Sequence, residues 1–153
     1  MNATADFGGT GAIEKLAAVD IAPIPGRVGQ RIRNELIYQS TGGGLPEPPK
    51  YRLEIAIRES VTSTLVNEEG NALGQVYNLD AAYRLVRIDS KTVVAEGRSY
   101  GRAGFERGVP TSSDPSRSIF ANVRAREDAE NRAARTVADE LKTRLLAHLS
   151  HAA

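Results

Sequence analysis

The sequence has no cysteine, no tryptophan, one methionine, three phenylalanines and two histidines among 153 residues. Without cysteine there is no disulfide framework, no thiolate nucleophile and no cysteine-ligated metal. The two histidines, His148 and His151, stand three apart near the C-terminus. That spacing can share one helical face, but no third ligand is nearby in sequence. No apolar run approaches the roughly 20 residues that cross a bilayer as a helix. An excess of charge of one sign is missing too. Twenty basic residues face 19 acidic ones, for a net charge of +1, which excludes an acidic disordered tail or a histone-like polycation. The same balance, with few aromatics and no RNA-reading motif, argues against a nucleic-acid partner.

What is present suits one globular domain. Forty-one per cent of the residues are hydrophobic, and a chain of this length buries roughly 70% of its unfolded surface. Met1 to Asp6 shows no basic region, apolar stretch or small-residue cleavage site. Two readings stay open: the chain is not exported, or a leader has been replaced by a start methionine ahead of a mature fragment. Residues 1–16, with the glycines of Phe7 to Gly11, are expected to be a flexible tether, and 17–150 a single domain.

Val19 and Ile21 alternate with polar or small neighbours before the stop at Pro23 to Gly26, which predicts a short strand near a sheet edge. Val28, Ile32 and Leu36 then recur every four residues, and Thr41-Gly42-Gly43-Gly44 with Pro46 ends the helix they define. Tyr51, Leu53, Ile55 and Ile57 alternate strictly, and Tyr77, Leu79, Ala81, Tyr83 and Leu85 do so again after the polar turn 67–71. A period of two marks half-buried strands. The phase slips near Val86 and Ile88, consistent with a bulge or the turn at Asp89 to Lys91, and Val93 to Ala103 supplies the third strand of a meander. Finally Phe120, Val123, Ala129, Ala133, Val137, Leu141, Leu145 and Leu149 trace one stripe of a long amphipathic helix, with Ser116 or Ser118 as its cap.

The expected fold is α+β in the order β-α-β-β-β-α, a mixed four-stranded sheet with both helices on its apolar face. The opposite, polar face is left to solvent or a partner.

Chemistry is sparse. The glycine clusters match neither a dinucleotide fingerprint nor a phosphate loop, and the acid pairs Glu68-Glu69 and Glu127-Asp128 read as a turn and a helix face. No catalytic residue, cofactor or metal ligand is expected, and the chain reads as a non-enzyme. Arginine is the one bias. Lysine occurs only at 15, 50, 91 and 142, so 16 of the 20 basic residues are Arg. Guanidinium forks suit phosphate and carboxylate, although a high-GC genome also enriches Arg and Ala.

One stretch carries a family resemblance. From Ile21-Ala22-Pro23-Ile24-Pro25-Gly26-Arg27-Val28-Gly29-Gln30-Arg31-Ile32-Arg33-Asn34-Glu35-Leu36, the chain resembles the LPS-assembly lipoproteins, LptE, in their alphaproteobacterial form. Ser118 to Ala121, Arg126 to Glu130, Arg132 to Arg135 and Arg144-Leu145 extend the resemblance over 17–149. It implies two helices on a four-stranded mixed sheet and a non-catalytic role. Family members are anchored at the periplasmic face of the outer membrane. They plug the LptD β-barrel, assist its assembly and bind lipopolysaccharide. On this reading Arg27, Arg31, Arg33, Arg58 and Arg84 are the candidate phosphate ligands, and Asn34, Asn67, Glu68, Glu69 and Asn71 the candidate barrel interface. The family's N-terminal lipidated cysteine has no counterpart here, so the chain is expected to be a soluble fragment of the mature lipoprotein, its lipid anchor missing. The competing expectation is a periplasmic envelope scaffold of similar small α/β fold that does not bind LPS.

Overall fold

A computed structural model describes residues 10–42, 44–70, 72–108 and 115–151. The elements are α1 (Thr10–Ala17), β1 (Val19–Ile21), α2 (Gly26–Thr41), β2 (Tyr51–Val66), β3 (Ala72–Arg87), β4 (Val93–Glu106) and α3 (Pro115–His151). The sheet runs β1-β2-β3-β4, with β1 parallel to β2 and the other neighbours antiparallel. This is the expected mixed sheet with one additional helix. The phase slip is accommodated by a bulge, since Leu85 pairs with Ala95 but Val86 with Val93, leaving Val94 as the extra residue.

That additional helix corrects the expected tether. Residues 10–16, placed there with 1–9, belong instead to α1, whose Ala12 and Leu16 are buried one turn apart. Residues 1–9 lie outside the described residues. Lys15 Nζ donates to the carbonyl of Leu149 at 3.2 Å, placing a cation on the last carbonyls of α3, where the helix dipole favours it. Only two buried positions in eight residues, Ala12 and Leu16, give a weak periodic signal against the flanking glycines.

The alternation in β2 to β4 sends Leu53, Ile55, Tyr77, Leu79, Ala81, Tyr83, Leu85, Ala95 and Ala103 into one core, with Val28, Ile32 and Leu36 of α2 and the α3 residues from Ala129 to Leu149. α3 lies along β4 and β3, whereas α2 packs mainly against α3 and meets the sheet at β1. Gly42 ends α2 in the left-handed region at φ 62°, which a side chain resists. α3 begins at Pro115, favoured at a first helical position, rather than behind Ser116 or Ser118.

The stripe of α3 overruns its core. Phe120 and Val123, expected inside, are 64% and 50% exposed, because burial starts only at Ala129. α2 runs beside α3 from Arg27, bonded to Glu127, to Gln39, bonded to Asp139, and so provides no roof before Glu127.

Contact between α3 and β4 is backbone to backbone. A Cβ at Gly101 would stand 2.5 Å from the carbonyl oxygen of Ala133, far inside van der Waals contact. Gly101→Ala is therefore expected to lower stability by about 2 kcal/mol, seen as a reduced urea midpoint at unchanged m value. An unchanged midpoint would mean that α3 can shift on the sheet.

Candidate functional site

The five candidate arginines have different local surroundings. Arg27 bridges α2 to α3, one guanidinium nitrogen 2.9 Å from Glu127 and the other bonded to Glu130. Glu130 is only 4% exposed and its second oxygen takes Arg126 Nε at 3.1 Å. A buried carboxylate needs such partners to stay ionised at tolerable cost. Arg33 Nε donates to the carbonyl of Ile21 at 2.9 Å, tying α2 to β1. Arg84 holds Glu54 through two nitrogens, at 3.0 and 2.6 Å, on the open sheet face. Arg31 and Arg58 are exposed and make no hydrogen bond or ion pair among the described residues.

The structure does not gather these five into one cluster. Arg27, Arg31 and Arg33 sit on α2, whereas Arg58 and Arg84 point from alternate positions of β2 and β3 into a charge ladder. Across that face Arg58 registers with Asp80, Asp80 with Tyr100, and Asn78 with Arg102. Arg98 bonds Asp80 Oδ2 at 3.0 Å, while Asp80 Oδ1 is buried without a partner. Opposite charges on neighbouring strands each contribute a few tenths of a kcal/mol, up to about 1.

The candidate interface residues are also split. Asn67, Glu68 and Glu69 form the β2–β3 turn, where Asn67 Oδ1 accepts the Glu69 amide at 3.0 Å. Asn71 lies outside the described residues. Asn34 is exposed on α2, beside the middle of α3 and away from that turn.

An exposed apolar group stands at the start of α3, and periodicity assigned two of its members, Phe120 and Val123, to the core. Ile119, Phe120 and Val123 are each at least half exposed at the start of α3. Ile119 and Val123, with Asn122 and Arg126, line a cleft whose other walls are Gln75, Phe105 and Arg107. The Asn122 side chain pins this overhang to the end of β4 by bonding both the amide (2.9 Å) and the carbonyl (3.0 Å) of Gly108. The Arg124 guanidinium lies 5.8 Å from the Phe120 ring centre, a cation–π distance. No acid occurs from 115 to 126, while Arg117, Arg124 and Arg126 do. That acid-free, apolar run was the signal available in the sequence. The described residues hold no group of three or more His, Asp or Glu positioned for a metal.

No protein-family model matches the chain, and no curated protein does. Solved structures do resemble it. A candidate lipoprotein from Caulobacter crescentus superposes with TM-score 0.71 at 18% identity, covering 93% of this chain and 98% of that one. Lipoprotein B of Nitrosomonas europaea gives 0.52 at 17%, over 87% and 86% of the two chains. Rare lipoprotein B of Shewanella oneidensis gives 0.51 at 10%, over 83% and 93%. The chain has the fold of these bacterial lipoproteins. At such identities the likeness is one of architecture, and the surfaces described above are this chain's own.

The Arg27–Glu130–Arg126 group adjoins Tyr77, a fully buried side chain whose hydroxyl donates to Glu59 at 2.6 Å. Burial first, then that hydrogen bond and the charges of Glu59 and Glu130, push the hydroxyl well above the usual tyrosine range. Tyr77→Phe should cost about 1–2 kcal/mol at neutral pH. The folded value is raised, so this stability is complete below the unfolded value near about 10 and is lost as pH climbs beyond it. Urea midpoints between pH 8 and 11 should therefore converge for wild type and variant at the alkaline end; a constant gap would count against it.

Proposed function

We propose that this chain is the lipoprotein subunit of an outer-membrane LPS translocon. On this reading it works without catalysis, seated in an LptD-type barrel, binding lipopolysaccharide and attached to the outer membrane at its periplasmic face through a lipid anchor ahead of α1. The observation that carries this reading is the cationic, apolar overhang of α3. Ile119, Phe120, Val123 and Phe105 offer apolar contact to acyl chains, and the neighbouring Arg107 and Arg124 suit phosphates. The likeness in fold to bacterial lipoproteins and the sequence resemblance of 17–149 support it.

Polarity along α3 supports it too. α1 packs at the C-terminal end of α3, and the stretch of α3 from Phe120 of the overhang to Leu149 at that end spans about 44 Å. An anchor preceding α1 would hold one end at the membrane while the overhang and the 67–70 turn project away from it. A barrel lumen is polar, which suits the charge ladder of the open face. Of the five arginines first considered, Arg31 and Arg58 are the ones left unpaired to serve a ligand.

Co-expression with the barrel protein of the same organism, followed by affinity purification, is expected to give a one-to-one complex that retains LPS. Changing Ile119, Phe120 and Val123 together to Ser should reduce retained LPS at least tenfold while altering stability by only about 0.5 kcal/mol per site. By contrast Leu141→Ala, in the core, should cost about 3 kcal/mol. A folded chain that neither joins the barrel nor retains LPS overturns the proposal and favours an envelope scaffold.

A further inference from the structure

β1 covers only the first three residues of β2, pairing Val19, Asp20 and Ile21 with Tyr51, Arg52 and Leu53. From Ile55 onward no strand among the described residues flanks β2 on that side, although β2 continues to Val66. The direction of its free backbone groups follows from the pairing. In an antiparallel ladder alternate residues turn both N–H and C=O away from the partner. Leu53 C=O accepts from Ala22 N on the β1 side at 2.9 Å. Ile55, Ile57, Glu59, Val61 and Ser63 therefore present their backbone groups outward, before the register shifts between Ser63 and Leu65.

The opposite edge of the sheet is treated differently. Arg132 of α3 donates to the carbonyl of Gly104 at 2.8 Å, and Arg144 donates to that of Arg98, so helix side chains occupy outward carbonyls of β4. Such cover is a usual defence of an edge strand. The free half of β2 has none from the described residues, and neither proline nor bulge interrupts it from 55 to 63.

We infer that this edge of β2 accepts an extended segment of another protein as a fifth strand. The chemistry of that segment follows from the side chains beside it. Ile57 and Val61 are half-buried at the margin of the core and packed against it, so apolar residues opposite them complete the core. Arg58, on the other face, has no partner among the described residues, so it selects an acidic residue and repels a basic one. The chain's own continuation does not fill the place, because β1 leads through Pro23 and Pro25 into α2. A second copy fits poorly: two-fold pairing about Ser60 sets Ile57 against Ser63 and Glu59 against Val61, and pairing about Glu59, which does set Ile57 against Val61, puts the two Glu59 carboxylates directly opposite each other. The inference is independent of the barrel and LPS reading.

The test uses the full chain and a blocked nine-residue peptide of alternating Val and Thr whose central Thr is replaced by Asp, with a Lys version as counterpart. Hydrogen exchange at the Ile57, Glu59 and Val61 amides is expected to be fast in the free protein and to slow at least tenfold with the Asp peptide. The Asp peptide should bind at least fivefold more tightly than the Lys peptide, and Arg58→Glu should reverse that order. Val61→Pro removes an outward N–H that the β2–β3 ladder does not use, so the fold should persist and the protection should vanish. Absence of slowing, or equal affinity for both peptides, overturns the inference. So does protection without peptide, whether constant, meaning that the chain covers its own edge, or rising with protein concentration, meaning a second copy. If Val61→Pro does not fold, the Arg58→Glu reversal still decides.

Discussion

The close approach of α3 to β4 at Gly101 and Ala133 governs the architecture. With a carbonyl oxygen of the helix where a side chain would stand, the two backbones are as near as packing allows, and small residues are required on both sides. Ala129, Ala133, Ala134 and Ala138 supply them on α3, all fully buried. Each alanine removes little apolar area from water, so this stretch sets position more than it supplies energy. The energy comes from its flanks, where Val137, Leu141, Leu145 and Leu149 meet Tyr51, Leu53 and Leu85 of the sheet and the helices α1 and α2 in one core. The height of the helix also decides what its polar side chains reach. Arg132 and Arg144 fall within hydrogen-bonding distance of β4 carbonyls, and Glu130 arrives beside the buried hydroxyl group of Tyr77.

Glu130 in turn determines what the arginines do. A carboxylate held out of water draws Arg126 from its own helix and Arg27 from α2, and that neutralisation fixes α2 alongside α3. Basic residues thus divide by the company they keep. Those near a buried acid or a free carbonyl hold elements together, as Arg27, Arg33, Arg132 and Arg144 do, whereas Arg31 and Arg58 remain available. Enrichment in arginine is one compositional fact with two structural consequences.

The strands were legible because a period of two has few alternative explanations. Tyr51 to Ile57 and Tyr77 to Leu85 paired as expected, and the phase slip after Leu85 became a bulge at Val94. Their full lengths were less legible: β2 runs on through Ser60, Thr62 and Ser63, polar residues that pair with β3 and leave only Val61 between them half-buried against the core. The start of α3 misled for the converse reason. Phe120 and Val123 continue the helical stripe perfectly well, but periodicity records which residues share a face and not whether anything covers it. Nor does local spacing identify partners across elements. Arg27 and Glu130 are 103 residues apart, and no window of sequence connects them.

The overhang of α3 and the free edge of β2 lie at the same end of the molecule, and the sheet register relates them. Ser63 pairs with Gln75 and Gln75 with Phe105, so the floor of the cleft is two strand spacings, about 10 Å, from the last outward-facing residue of β2. Between them Val61, Tyr77 and Ala103 form the adjacent row on the core face. The far end of the domain is closed instead, with Lys15 on the last turns of α3 and β1 sealing the start of β2. A domain with a single uniform core would shorten α3 and β2 to what that core covers. Here both extend past it on the same side, and the extensions carry unmet valences of different kinds: apolar surface on the helix, backbone hydrogen bonds on the strand. Exposed apolar side chains cost little stability one at a time, but a helix overhang beside a long unpaired strand invites association. A place at which both are covered at once, by partner chain and amphiphile, would satisfy each without any rearrangement of the packed half.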